Sequence, residues 1–185
     1  MVLAQRMAVH CGTEACSIFL WDPAGDQVVT MTSQTASGEE LDLHPAQPTA
    51  PGRLTVDDMP LLAATAERRS PIVLDNPVAS PLVPPRWVEV YHVKSLISVP
   101  LMWQNSVIGA LVLHRMGATK GFTDSQVHLA SNIASQVAMA IENARLVQAT
   151  QARLRESETL LAVSQSVSST LDLKETLQRV AREAA

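Results

Sequence analysis

Cysteine is nearly absent. The chain of 185 residues holds two, Cys11 and Cys16. Two cysteines build no disulfide framework, and their scarcity points to a reducing, cytoplasmic compartment. Aromatic residues are only 3% of the chain, so its core has to be aliphatic. Charged residues are 17%, below the usual share of about 25%. With 46% hydrophobic residues, wholesale disorder is excluded. A basic patch is missing too: the net charge is −4, and the longest basic run is Arg68-Arg69. Nucleic-acid binding needs such a patch to release counterions, so that class is set aside. No long apolar run exists. Residues 96–103 are interrupted by Ser98 and Pro100, and residues 107–113 are short. A membrane-spanning helix needs about 18 or more. The first residues lack an apolar core followed by a small-residue cleavage site, so no signal peptide is expected.

Motifs that carry catalysis are missing as well. There is no HExxH, CxxC, GxGxxG or GxSxG. Gly117 and Gly121 bracket three residues, too few for a phosphate-binding loop. His10, His44, His92, His114 and His128 are far apart and show no ligand spacing. Each reads as an exposed or hydrogen-bonded residue, and His128 as a surface one. A non-catalytic protein without a metal is the expectation.

What is present is a series of short elements. Residues 1–11 read as a helix closed by Gly12. Residues 15–22 and 27–34 read as two strands joined by a turn at 23–26. Residues 36–55 are ambiguous, with one short strand expected at 41–44. Asp57 or Asp58 is positioned to cap a helix reaching Arg69, with Pro60 in its first turn. A strand at 71–75, a proline-rich loop at 77–85 and a short helix at 86–93 follow. Strands at 95–103 and 107–115 are apolar on both faces, so both faces of their sheet should be covered.

Thr123 and Gln126 form a capping box, the clearest helix start in the chain. From there Ile133, Ala140, Val147, Leu154 and Leu161 recur every seven residues. The companion row Val137, Ala144, Gln151 and Glu158 turns from apolar to polar. That pattern predicts a helix that leaves its domain and pairs with a second copy as a coiled coil, through the five residues of the apolar row. Asp172, with Glu175 three residues on, is positioned to cap a further helix bearing Leu173, Leu177 and Val180. That row is uncovered where the chain stops, which reads as a fragment or a natural truncation.

One segment gathers polar and aromatic side chains. Asp75, Trp87, Tyr91 and His92 lie between two strands beside the proline-rich loop. Such loops over a sheet form small-molecule pockets, and Ser98 on the next strand is a further candidate. Trp87 and Tyr91, four apart, serve equally well to pin the short helix to the sheet.

Two segments, SLISVPLMWQNSVIGALVLHR and GFTDSQVHLASNIASQVAMAIENARL, resemble the second half of a GAF domain. CSIFLWD and ERRSPIVLDNP fit its first half. The likeness covers residues 1–150, leaving 151–168 as a coiled-coil linker. Residues 169–185 look like the opening of a second, truncated GAF domain. The resemblance implies an α+β fold: a six-stranded antiparallel sheet with helices on both faces, followed by a long exit helix. It implies a sensory module of a signal-transduction protein such as a histidine kinase, dimeric through its helices. Such a module binds a small molecule and acts on a covalently linked output domain absent from this chain. Cyclic-nucleotide-binding members carry an Asn-Lys-Phe-Asp-Glu signature where this chain has His114, Arg115, Phe122, Gln126 and Val127, and only the Phe matches. Bilin-binding members use a Cys that residues 76–99 lack. Haem-binding members place a His near the position of His92. The related sulfoxide reductases keep cysteines around the pocket, whereas Cys11 and Cys16 sit at the first helix–strand junction. Two alternatives stay beside the sensor: a ligandless dimerisation module, and a redox enzyme or thiol sensor using Cys11 and Cys16.

Overall fold

The structure, a computed structural model, describes residues 3–22, 27–41, 54–55, 59–117 and 121–183. Two compact units divide the chain, Met1–Ala140 and Ile141–Ala185. The first is built on one sheet. Its strands are β1 (Ala15–Trp21), β2 (Gln27–Thr35), β3 (Leu54–Thr55), β4 (Ile72–Leu74), β5 (Ser95–Trp103) and β6 (Ser106–Arg115). They stand in the order β3-β2-β1-β6-β5-β4, every neighbouring pair antiparallel. The helices are α1 (Leu3–Cys11), α2 (Pro60–Arg68), α3 (Pro85–Tyr91) and α4 (Asp124–Glu183). This is the expected α+β architecture.

The register divides the side chains between two faces. Ser17 pairs with Val112, Phe19 with Ala110, and His114 with both Ala15 and Leu96. These, with Ser98, belong to one face. Cys16, Ile18, Ile97, Val99, Leu111 and Leu113 belong to the other. Both rows are buried, which explains the unbroken apolar reading of β5 and β6. Helix α1 packs against β1 and β2. Helices α2 and α3 lie over the Phe19 face, where Leu61, Leu62, Val83, Val88 and Val93 join Phe19, Leu96 and Val112 in one core. Gly109 lies against the backbone of β1. A Cβ there would press into the Phe19 carbonyl oxygen. Pro100 sits in β5 beyond Ser98, the last partner of β4, where the sheet edge is open and a missing N–H is tolerated.

Several local expectations hold for visible reasons. Gly12 closes α1 with φ of 62°. At the start of α4, Thr123 N–H donates to Gln126 Oε1 at 3.1 Å, and Gln126 N–H donates to Thr123 Oγ1 at 3.4 Å. Within the first unit, α4 buries Ala130, Ala134, Val137 and Ala138, one stripe at helical spacing.

Others are corrected. The residue capping α2 is Met59, with no side-chain cap bond, and Asp57 and Asp58 lie outside the described residues. Leu41 is not in a strand, and residues 42–44 lie outside the described residues, as does the turn at 23–26. The short strand is Leu54–Thr55, paired with Gln27 and Val28. Asp172 starts no helix, because α4 runs unbroken from Asp124 to Glu183. No Gly or Pro occurs after Gly121. A lone Asp inside a helix costs at most about 0.7 kcal/mol, less than surrendering the hydrogen-bond ladder around it. Residues 169–183 continue the same helix.

The second unit is described by itself. Its part of α4 carries an ion pair one turn apart, Arg145 Nη1 to Glu142 Oε1 at 2.7 Å. Leu146, Val147, Leu154 and Leu160 are exposed on it.

Candidate functional site

The site is built on the Phe19 face, under α3 and the loop before it. Pro84 caps α3 and Pro85 opens it, where a missing N–H costs nothing. Trp87 and Tyr91, one helical turn apart, make an edge-on pair with ring centroids 5.4 Å apart. Trp87 also stands over His114, with centroids 5.1 Å apart and planes inclined by 59°. The helix ends in a left-handed residue, His92 at φ 51°, whose N–H donates to the Val88 carbonyl. The chain turns there into β5, where Lys94 N–H donates to the Arg115 carbonyl at 2.7 Å.

Trp87 separates two spaces. One is an apolar cavity of about 50 Å³ lined by Phe19, Met59, Leu61, Leu62, Leu82, Val83, Pro84, Trp87 and Val112. The other has no room for a water; Leu41, Trp87, Tyr91, Val93, His114 and Met116 line it. His114 is fully buried, and loss of solvation pushes its pKa down to about 3. The imidazole is therefore neutral. Its Nε2 lies 3.0 Å from Ser17 Oγ, which lies 2.8 Å from Ser33 Oγ. Its Nδ1 is buried with no hydrogen-bond partner.

The residues singled out from the sequence do not all meet here. Trp87 lines both spaces and Tyr91 the second. Ser98 is fully buried beneath α2 and lines neither. Thr65 Oγ1 donates to the Leu61 carbonyl at 2.7 Å, so Ser98 donates to Thr65 Oγ1 at 2.8 Å. The pair ties α2 to β5. Asp75 is exposed and stands against the backbone of Gly121, where a Cβ would meet its carboxylate. Arg115 Nη1 donates to the Gly121 carbonyl at 2.9 Å. His92 is exposed and lines neither space. Of the row that recurs every seven residues, Ile133 is half-buried, while Ala140, Val147 and Leu154 are exposed. The side chain of Leu161 lies outside the described residues.

His114 was missed as a site residue, and so were Ser17 and Phe19. The one signal was a polar residue closing the inward row Ala110, Val112, His114 of β6. Cys11 and Cys16 are both free and buried. Burial pushes both thiols up, Cys16 the more, with Cys11 beside it adding to the effect. Cys16 points to the opposite face of the sheet from the cavity. Among the described residues, no group of three or more His, Cys, Asp or Glu is placed to hold a metal ion. No described helix is long and apolar enough to cross a membrane.

Comparison with known proteins gives a consistent result. One family model, described as GAF domain, matches residues 2–141. The fold is similar to a solved GAF domain/HD domain protein from Geobacter sulfurreducens, at 20% identity and a TM-score of 0.60, covering 78% of this chain and 90% of that one. It is similar to the GAF domain of a phosphoenolpyruvate-protein phosphotransferase from Coxiella burnetii, at 20% identity and a TM-score of 0.61, covering 80% and 82%. A domain of a putative two-component sensor histidine kinase protein from Sinorhizobium meliloti 1021 aligns at 18% identity and a TM-score of 0.55, covering 80% and 91%. No curated protein matches the chain.

Proposed function

This chain belongs to the GAF domain family, and on that footing we propose that it is a non-catalytic sensory module binding a small molecule beside Trp87. The observation that carries the reading is the Trp87 boundary: an apolar cavity on one side, and a buried neutral histidine with an unmet nitrogen on the other. Cavities of this kind, apolar with one placed polar group, are what small-molecule sites are made of. Ligand binding would shift the balance between two arrangements of helix α4 in a homodimer, and so an output domain joined to the chain. The exposed row Ala140, Val147 and Leu154 supports pairing with a second copy. The kinase and phosphotransferase contexts of the similar structures support a signalling role. Two buried, free cysteines and the absence of a described membrane-crossing helix support a cytoplasmic module.

A native mass spectrum of the chain as purified from cells tests this. The expected result is a dimer with a stoichiometric small-molecule adduct that Trp87→Ala changes. A bare dimer favours a second reading, a ligandless dimerisation module, which the small free volume of the cavity supports. The thiol-based alternative has less behind it, since both thiols are buried and held protonated.

A further inference from the structure

The hydrogen bonds of His114 run in one direction. Ser33 Oγ bonds Ser17 Oγ at 2.8 Å, and Ser17 Oγ bonds His114 Nε2 at 3.0 Å. Each hydroxyl has one proton to donate. If Ser33 donates to Ser17 and Ser17 donates to Nε2, both protons are placed, and the ring proton sits on Nδ1. The opposite direction strands the Ser33 proton and also leaves the Nδ1 lone pair bare. All three residues are buried, where each unmet group carries a desolvation cost. The first arrangement is the better satisfied, so Nδ1 is a donor.

That donor has no acceptor. The second space, which His114 lines, has no room for a water to supply one. Because the ring is neutral down to about pH 3, the tautomer persists at physiological pH. The group over the ring is the Trp87 indole, edge-on to Tyr91. Moving the indole aside would join the two spaces that Trp87 lines and vacate the room of a flat bicycle. Among the described residues lining the two spaces none carries a charge. An ion would be buried there without a partner.

We propose that this site takes a neutral, flat, bicyclic aromatic ligand bearing a hydrogen-bond acceptor, which displaces the Trp87 ring and accepts the free proton of His114 Nδ1. The proposal rests on the sensory reading above and names the ligand class of the same site. It differs from shape-only recognition, because it ranks molecules of equal size by a single atom.

Three bicycles serve as probes: quinoline with an acceptor, naphthalene with neither group, and indole with a donor. Affinities are measured by calorimetry on the full chain. Quinoline is expected to bind wild type about tenfold more tightly than naphthalene, the worth of one neutral hydrogen bond. His114→Phe keeps a ring and removes the donor, and is expected to level the two. Trp87→Ala is expected to tighten all three while keeping their order. A nitrogen-15 spectrum of the wild-type imidazole is expected to show the Nδ1–H tautomer, and needs no variant to fold. The Nε2–H tautomer, or indole binding better than naphthalene and quinoline, overturns the proposal. Equal binding of all three also overturns the acceptor requirement, while the sensory reading stands. If none binds wild type or Trp87→Ala, both the ligand class and the pocket fail together.

Discussion

At the scale of single residues, burial sets the chemistry. His114 ionises in the unfolded chain near its usual pKa of about 6.5 but resists protonation in the fold down to about 3. A depressed folded pKa gives stability that is present above the unfolded value and is lost as pH falls towards the folded one. Between pH 7 and pH 5 the loss amounts to about 2 kcal/mol. Urea unfolding at the two pH values should show it in wild type and a flatter response in His114→Gln. The Thr65–Ser98 pair makes a second test. Removing Ser98 takes away one bond, since Thr65 still donates to Leu61. Removing Thr65 strands the Ser98 proton in the core. Thr65→Val should therefore cost more than Ser98→Ala, about 2 kcal/mol against about 1. The double variant should recover part of the loss in a thermodynamic cycle.

At the scale of elements, the ends of helices and one close strand contact decide most. Helix α3 ends on His92 in the left-handed region, which costs a side chain about 1 kcal/mol and glycine almost nothing. His92→Gly should raise the midpoint of urea unfolding. Ligand binding should be unchanged, because His92 faces neither space. A loss of binding would return His92 to the site. Gly109 is the reverse case: its Cβ would press on a backbone carbonyl that the β1–β6 pairing holds in place. Gly109→Ala should cost about 3 kcal/mol, at the upper end of overpacking penalties. Helix α4 shows why caps read so unequally from sequence. The Gln126 side chain satisfies the Thr123 N–H, which the helix ladder does not reach, whereas at Asp172 the ladder already satisfies the backbone.

At the scale of the whole molecule, the exposed apolar row of α4 calls for a partner surface. Val147 is 56% exposed and Leu154 58%. An isolated helix presenting such residues gains by pairing them. In light scattering, wild type is expected to run as a dimer and the combined Val147→Lys and Leu154→Lys variant as a monomer. A variant that stays dimeric would move the interface onto the sheet domain. Circular dichroism of the variant separates lost pairing from lost folding.

Sequence alone determined the strand set around β1, β2, β5 and β6, the start of α4 and the family resemblance. Each of those signals is local: a turn, a capping box, or a run of apolar residues between breakers. It reached Trp87 and Tyr91 because they are aromatic and one helical turn apart. Only the tertiary structure decided which polar residues share a site. Asp75, His92 and Ser98 are near Trp87 along the chain, yet one end of a strand, the outer side of a helix end and a hydrogen bond to α2 claim them. His114 lies 27 residues beyond Trp87, and Ser17 lies 97 before His114. They meet because antiparallel pairing of β1 and β6 sets their side chains on one face and α3 folds back over it. Pairing between distant strands leaves almost no local mark, so the contact that gives the site its chemistry appears only in three dimensions.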